Sequence, residues 1–325
     1  LNIALDAMGG DHAPDAIIQG ALDAAPLIKG TITLVGDLAR ITPLLPQPLP
    51  PQLSLHPASQ VVEMDEKPTD AIRKKKDSSM AVAIELVKAG TADAMVSAGN
   101  TGAATAASLL SWRPMTGVKR PAIGAIFPNK HGRFVLLDAG ASPDVDPENL
   151  VDFAKMGIIY AQTVLNKPHP RVHLLNIGEE EGKGNAFAKQ AYKLLSHYEW
   201  FAGNIEGKDI YREPVDIVVC DAFVGNIVLK TSEGVAEFIM SSIREELPTG
   251  TLARLPYLPL RKLLAPLRKK TDYAEYGGMP LLGLNGLTFI CHGRSNPKAI
   301  KNALLFAQQA IQGNLLEKMR ESLRT

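Results

Sequence analysis

Cysteine is nearly missing from this chain, with two in 325 residues, Cys220 and Cys291. Two thiols cannot build a disulfide framework, and the ordinary reading is reduced cysteine in a reducing compartment. An excess of charge of one sign is missing too. Lys plus Arg is 35 against 34 for Asp plus Glu, a formal net charge of +1, so nucleic acid is not an expected partner. No apolar run approaches the ~20 residues that span a bilayer. Residues 2–6 form a strand with no basic-then-apolar secretion signal before it. The expected location is the cytoplasm, or at most the surface of a membrane. Aromatic residues are scarce at 6%, while hydrophobic residues of all kinds make 46%. That suits one large core in which small side chains pack closely between helices and a sheet.

Familiar catalytic signatures are also lacking. There is no G-x-S-x-G elbow for a hydrolase triad. Neither His12 nor His292 has a His or Cys partner at zinc-ligand spacing, so no metal is expected. Gly178-Glu179-Glu180-Glu181-Gly182-Lys183-Gly184 superficially resembles a nucleotide-binding loop. It has one residue too few between the glycines, and Gly184 stands where Ser or Thr must hold magnesium.

What is present alternates. Short β-rich runs (Ile3–Asp6, Thr31–Val35, Ala94–Ser97, Phe134–Asp138, Val172–Ile177 and Ile217–Asp221) are separated by helical patterns such as Met80–Ala89, Asn149–Leu165 and Asn226–Glu246. Several of the runs are apolar on both faces, as strands covered by helices on both sides must be. The expected class is α/β, three layers around a mainly parallel sheet. Residues 1–325 read as one catalytic unit, with room for two intimately joined lobes. Residues 247–276 are expected to form a basic, leucine-rich helical insertion, and the proline-rich connector at 43–51 is no clean domain boundary.

Ligands of such folds collect at the carboxyl ends of strands, and the unusual residues cluster there. Asp6-Ala7-Met8-Gly9-Gly10-Asp11-His12 follows the first strand. Gly99-Asn100-Thr101-Gly102, Asp138-Ala139-Gly140, Asn176-Ile177-Gly178, Gly203-Asn204-Ile205-Glu206 and Asp221-Ala222-Phe223-Val224-Gly225-Asn226 follow others. Six such turns suggest one crevice. Gly99 to Gly102 opens a helix, whose N-terminal N–H groups favour an anion; alternatively Thr101 merely caps that helix. Lys183 either swings its charge toward a phosphate or oxyanion or is a solvated lysine. Asn226 is either a helix cap or a donor to the reacting group, with Lys230 one turn behind it. Cys220, inside an apolar run, reads as a buried structural thiol rather than a nucleophile. Arg73-Lys74-Lys75-Lys76 is either a solvated face or a dock for an acidic partner.

Taken in order, these blocks resemble the phosphate acyltransferase family of bacterial phospholipid synthesis. The likeness also rests on Lys75-Lys76-Asp77-Ser78-Ser79-Met80, Gly225-Asn226-Ile227-Val228-Leu229-Lys230-Thr231, Glu275-Tyr276-Gly277-Gly278-Met279-Pro280 and His292-Gly293-Arg294-Ser295-Asn296, so it spans nearly the whole chain. Two positions depart from the family pattern. Ala222 stands where it usually has glycine, and Ser142 where it usually has asparagine.

The resemblance implies the isocitrate/isopropylmalate dehydrogenase-like fold, a homodimer, and no metal or organic cofactor. It implies transfer of an acyl group from acyl carrier protein to inorganic phosphate, with the acyl phosphate passing to a glycerol-3-phosphate acyltransferase. An acyl-CoA-using relative of phosphotransacetylase and a non-catalytic scaffold on the membrane surface are the alternatives. On this reading Lys183, Asn226, His12 and His292 are the catalytic candidates. Asp6, Gly9, Gly10, Gly99, Asn100, Thr101, Gly102, Asn176, Asn204, Glu206, Asp221 and Lys230 are expected around phosphate and substrate. Arg73 to Lys76 would receive the carrier protein. Leu260, Leu263, Leu264 and Leu267 fall on one arc of a helix with bases on the other, the pattern of contact with anionic lipid or of leucines buried between subunits.

Overall fold

The computed structural model describes residues 1–246 and 273–323. The first part of the chain runs β1 (Asn2–Asp6), α1 (Asp15–Ala24), β2 (Thr31–Gly36), α2 (Leu38–Ile41), β3 (Leu53–Pro57), α3 (Pro68–Lys74), α4 (Ser79–Lys88), β4 (Ala94–Ser97) and α5 (Thr101–Trp112). Next come β5 (Ala122–Ile123), β6 (Ala125–Asn129), β7 (Gly132–Leu137), α6 (Pro147–Val164), β8 (Val172–Asn176), α7 (Ala186–Leu195), β9 (Phe201–Glu206), β10 (Ile217–Val219) and α8 (Ala222–Glu245). After residue 272 follow β11 (Met279–Leu282), β12 (Thr288–Ile290), α9 (Pro297–Gln312) and α10 (Leu315–Leu323).

The expected α/β class with mainly parallel pairing holds. The strands form two sheets, ordered β3-β2-β1-β4-β12-β11-β5 and β6-β7-β10-β8-β9. Antiparallel pairing is confined to β5, β11 and β12 in the first and to β6 with β7 in the second. Gly124 alone separates β5, an edge of one sheet, from β6, an edge of the other, so the chain changes sheets at one residue. All six expected strands are present. Six more strands, β3, β5, β6, β9, β11 and β12, were not among the expected runs, and Gly203–Glu206, expected to follow a strand, lies inside β9.

The continuous apolar runs were read correctly as two-sided burial: Ile3, Ala4 and Leu5 are fully buried, as are Ile217, Val218 and Val219. Two large clusters of buried side chains each draw on both sheets. One joins Leu5 and Ile32 to Val135, Leu137 and Phe153; the other joins Ala4, Met95 and Ile290 to Leu136 and Val218. Helix starts moved for capping reasons. In α6, Asp146 and Asn149 form a reciprocal capping box ahead of Pro147. In α8, Asp221 Oδ1 accepts from Val224 N at 2.9 Å. That places the start of α8 before Asn226, which is therefore not its cap. Most of the basic insertion expected at 247–276, including Leu260, Leu263, Leu264 and Leu267, lies outside the described residues.

Candidate functional site

Strands β1, β4 and β12 are neighbours in one sheet, so the loops at their carboxyl ends lie side by side. Asp6 is almost fully buried there, its Oδ2 accepting from Ser97 Oγ at 2.7 Å and its Oδ1 from Met8 N at 3.2 Å. Burial pushes its carboxyl pKa up, while hydroxyls of Ser79 and Ser97 and N–H groups of Met8 and Gly9 pull it down. Asp6 thus organises the turn from beneath. A Cβ on Gly9 would lie 2.4 Å from Asp6 Oδ2 and 2.9 Å from Gly99 N, so the two glycine turns touch only because neither carries a side chain. Gly10, at φ +115°, carries the chain to Asp11, whose N–H donates to Gly293 O at 2.8 Å.

At the start of α5 the cap is Asn100, not Thr101. Its Oδ1 accepts from Ala103 N at 3.0 Å, and its Nδ2 donates to Met64 O at 3.0 Å and Glu66 O at 2.9 Å. The Asn100 amide is committed to tying segment 63–66 across the turn. Thr101 and Gly102 remain exposed at the N-terminal end of a twelve-residue helix. His12 is exposed at the end of the first turn.

Helix α8 leaves the second sheet and reaches the first. Lys230 Nζ lies 3.0 Å from His292 Nε2, although 62 residues separate them in sequence. Glu233 accepts from Lys230 at 3.0 Å and stands 3.7 Å from His292 Nε2. Beyond them Arg294 pairs with Glu237 at 3.1 Å. Burial holds the His292 pKa below its ordinary value; the Lys230 charge lowers it further, against the pull of Glu233. A neutral imidazole beside a lysine is therefore the resting state at neutral pH. Glu233 and Arg294 were not among the expected site residues. The signal for Glu233 was its place three residues after Lys230 on one helix face.

At the second sheet, Asp138 is fully buried and takes four N–H groups: Ile123 at 2.9, Gly140 at 3.0, Ala141 at 2.9 and Ser142 at 2.8 Å. Burial raises its pKa and the four donors oppose the rise. Neither departure from the family pattern disturbs this turn. Ser142 Oγ donates to Pro121 O at 2.9 Å, and Ala222 begins α8 with no positive φ. Gly225 packs directly on the Asp138 carbonyl and brings exposed Asn226 beside Gly140.

Lys183 is half-exposed in the β8–α7 loop, 3.9 Å from Glu180. Asn176 Nδ2 donates to Lys183 O at 3.2 Å, and Asn204 Nδ2 to Glu180 O at 2.9 Å, so both asparagines shape that loop. The Asn204 Oδ1 is buried without a hydrogen-bond partner. Glu206 pairs with Lys208 at 2.8 Å. Close by, a polar cavity of about 450 Å³ is lined by Arg120, Asp144, Asp146, Asn185 and Asp221.

The four consecutive bases divide. Arg73 and Lys76 are exposed, Lys74 pairs with Asp70 at 3.3 Å on the surface, and Lys75 turns inward to Glu66 at 2.6 Å and Val61 O at 2.7 Å. Both cysteines are buried. Burial, with Asp221 and Asp138 nearby, pushes the Cys220 thiol well up, and burial lifts Cys291 to about 12. Neither is a nucleophile near neutral pH. Among the described residues no group of His, Cys, Asp or Glu is placed to hold a metal ion.

The profile of a family described as "Fatty acid synthesis protein" matches residues 1–318. The chain belongs to that family. It is similar to a phosphate acyltransferase from Heliobacterium modesticaldum, 49% identical over 99% of this chain and 98% of that one. A phosphate acyltransferase from Geobacter sulfurreducens is 45% identical over 100% of this chain and 95% of its own. Membership of this family makes the chain an acyltransferase. In fold it is similar to a phosphotransacetylase from Streptococcus pyogenes, with a TM-score of 0.62 over 96% of this chain and 94% of that one, at 16% identity.

Proposed function

We propose that this member of the family transfers a fatty acyl group from the thioester of acyl carrier protein to inorganic phosphate, yielding acyl phosphate and the free carrier thiol. The observation that carries the reading is the meeting of Lys230 and His292, 3.0 Å apart, after a strand adjacent to β4, from which the exposed Thr101–Gly102 start of α5 follows. A cation and a helix N-terminus suit a phosphate, and a neutral imidazole suits its proton. A thioester is already activated, so the inert cysteines are no obstacle.

In the step envisaged, an oxygen of hydrogen phosphate attacks the thioester carbonyl and the C–S bond breaks. His292 takes the phosphate proton and returns it to the departing thiolate. Lys183 and Asn226 stabilise the oxyanion that forms between these events. Lys230 and the Thr101–Gly102 end of α5 hold the phosphate, and His12 borders the same crevice. Asp6, Asn100, Asn176 and Asn204 act by shaping these loops. Arg73, Lys74 and Lys76 present a basic surface to the acidic carrier protein.

Two further features belong to this reading. Helix α8 exposes Phe223, Ile227, Val235 and Phe238, an apolar face suited to a second copy of the chain. No described helix is long and apolar enough to cross a membrane. The leucines of 260–267, interleaved with bases in the sequence, favour instead a contact with anionic lipid at the inner face of the cell membrane, where a downstream acyltransferase would consume the acyl phosphate.

The test is release of free thiol from acyl carrier protein that requires added phosphate. Turnover with acyl-CoA but none with the carrier protein would replace the donor. Failure with both would remove the catalytic reading altogether.

A further inference from the structure

A cavity of about 450 Å³ lies between α3, α4 and α5, apart from the crevice just described. Its size falls within the ~300–1,000 Å³ of ligand cavities. Its walls are mainly apolar: Val62, Ala71, Met80, Ala81, Ala103 and Ala107 face it, and the one ring in the lining is that of His56. Ligand sites usually combine such walls with a few convergent polar groups that fix a polar ligand's orientation. Here the polar members of the lining are His56, Lys75, Lys76, Ser78, Glu85 and Ser111: Lys75 is already held by Glu66, Ser78 caps α4 by accepting from Ala81 N, and Lys76 and Glu85 are exposed to solvent. A ligand matched to this interior is an unfunctionalised hydrocarbon whose polar end stays outside.

The position of Met80 indicates which end. Met80 is 2% exposed and lines the cavity, yet its methyl would lie 2.9 Å from a Cβ placed on Gly99. One flexible thioether thus touches both the cavity and the turn that opens α5. Ala103, one turn into that helix, lines the cavity as well. From Ala103 the cavity follows α5 to Leu110, which is 67% exposed, about 10 Å further along the axis. Exposed Lys76 lines the cavity and joins it to the basic surface of Arg73 and Lys74.

From this continuity we infer that the α3–α4–α5 cavity receives the hydrocarbon tail of the acyl thioester, with Met80 as the gate at its carbonyl end. The inference rests on the proposed transfer reaction. It adds that chain-length preference is set by Ala81 and Ala107 rather than by the residues that handle phosphate.

The experiment fills the cavity and compares chain lengths. Ala107→Phe and, on the opposite wall, Ala81→Leu are assayed for phosphate-dependent thiol release from hexadecanoyl and butanoyl carrier protein. At least one filling variant should lower the hexadecanoyl-to-butanoyl ratio of kcat/KM by about tenfold or more, the effect of a few misfitted methylenes. An unchanged ratio in both overturns the assignment while leaving the transfer reaction intact, and absence of thiol release from wild type removes the transfer reaction instead. The second measurement needs no variant. A hexadecanoyl carrier protein with a photoreactive diazirine on its terminal carbon should label wild-type residues between 71 and 111. Labelling of the Phe223–Phe238 face of α8 would place the tail there and overturn the inference.

Discussion

Alanine at position 225 should damage both stability and turnover, and the structure sets the scale. A Cβ there would lie 1.9 Å from the Asp138 carbonyl oxygen and 3.1 Å from Cys220 Sγ. Ordinary contact begins near 3.4 Å, so the helix and the end of β7 must part by about 1.5 Å. Asp138 is the less able to move. Its N–H donates to Cys220 O at 3.0 Å and its carboxylate gathers four N–H groups. The shift therefore falls on α8, whose next residues carry Asn226 and then Lys230 to within 3.0 Å of His292. Overpacking of this kind costs about 1–3 kcal/mol, of which the helical preference for Ala over Gly recovers only ~0.5–1 kcal/mol. A misplacement of about 1 Å costs roughly 10²-fold in rate. Gly225→Ala should unfold at lower denaturant with an unchanged slope, and release thiol about a hundredfold more slowly. Gly124→Ala is the control, since its nearest neighbours would be at 3.5 Å. Wild-type turnover in Gly225→Ala would show that the placement of α8 on Asp138 does not govern the site.

Lys183→Ala and Asn226→Ala should each fold normally and lower turnover by roughly 10²–10³, the usual effect of losing an oxyanion donor; near-normal turnover in both removes their assigned role. The acid limb of kcat/KM should lie below the ordinary histidine value of ~6.5, because protonation of His292 disables it and its pKa is depressed by burial and by Lys230. Lys230→Gln should move that limb upward, and a limb that stays put places the titrating group elsewhere. Reversing Arg73 and Lys76 should raise the KM for carrier protein and flatten its salt dependence, with little change toward a small acyl thioester; equal loss on both substrates refutes docking. Leu260→Glu with Leu264→Glu should release the chain from anionic vesicles but leave it dimeric, whereas Phe238→Glu should yield monomers; the reverse pattern exchanges the two surfaces.

The fold class was legible because it rests on local chemistry. Doubly apolar runs such as Ile3–Leu5 and Ile217–Val219 have nowhere to go but the middle of a helix-covered sheet. Glycine and short polar side chains at their carboxyl ends mark where a backbone must turn beside a ligand. Individual roles were less legible. Asn100 and Asp221 proved to be helix caps, and Asp6 a buried support for a turn. A short polar side chain at a helix start has the same sequence signature whether it satisfies the backbone or a substrate.

Tertiary structure alone decided the rest. Lys230 and His292 meet only because α8 crosses from the second sheet to the first, a consequence of the sheet change at Gly124 and of strand pairings far apart in sequence. Adjacent bases diverged likewise, Lys75 turning in to Glu66 while Arg73 and Lys76 stayed in solvent. The cavity along α5 is lined by alanines and methionine whose periodicity marks only an ordinary helix core. Periodicity and turn chemistry are properties of neighbours along the chain, so they name elements and loops. Which polar groups face one another, and where packing leaves room, depends on how distant elements stack, and that was determined by the sequence only through the fold.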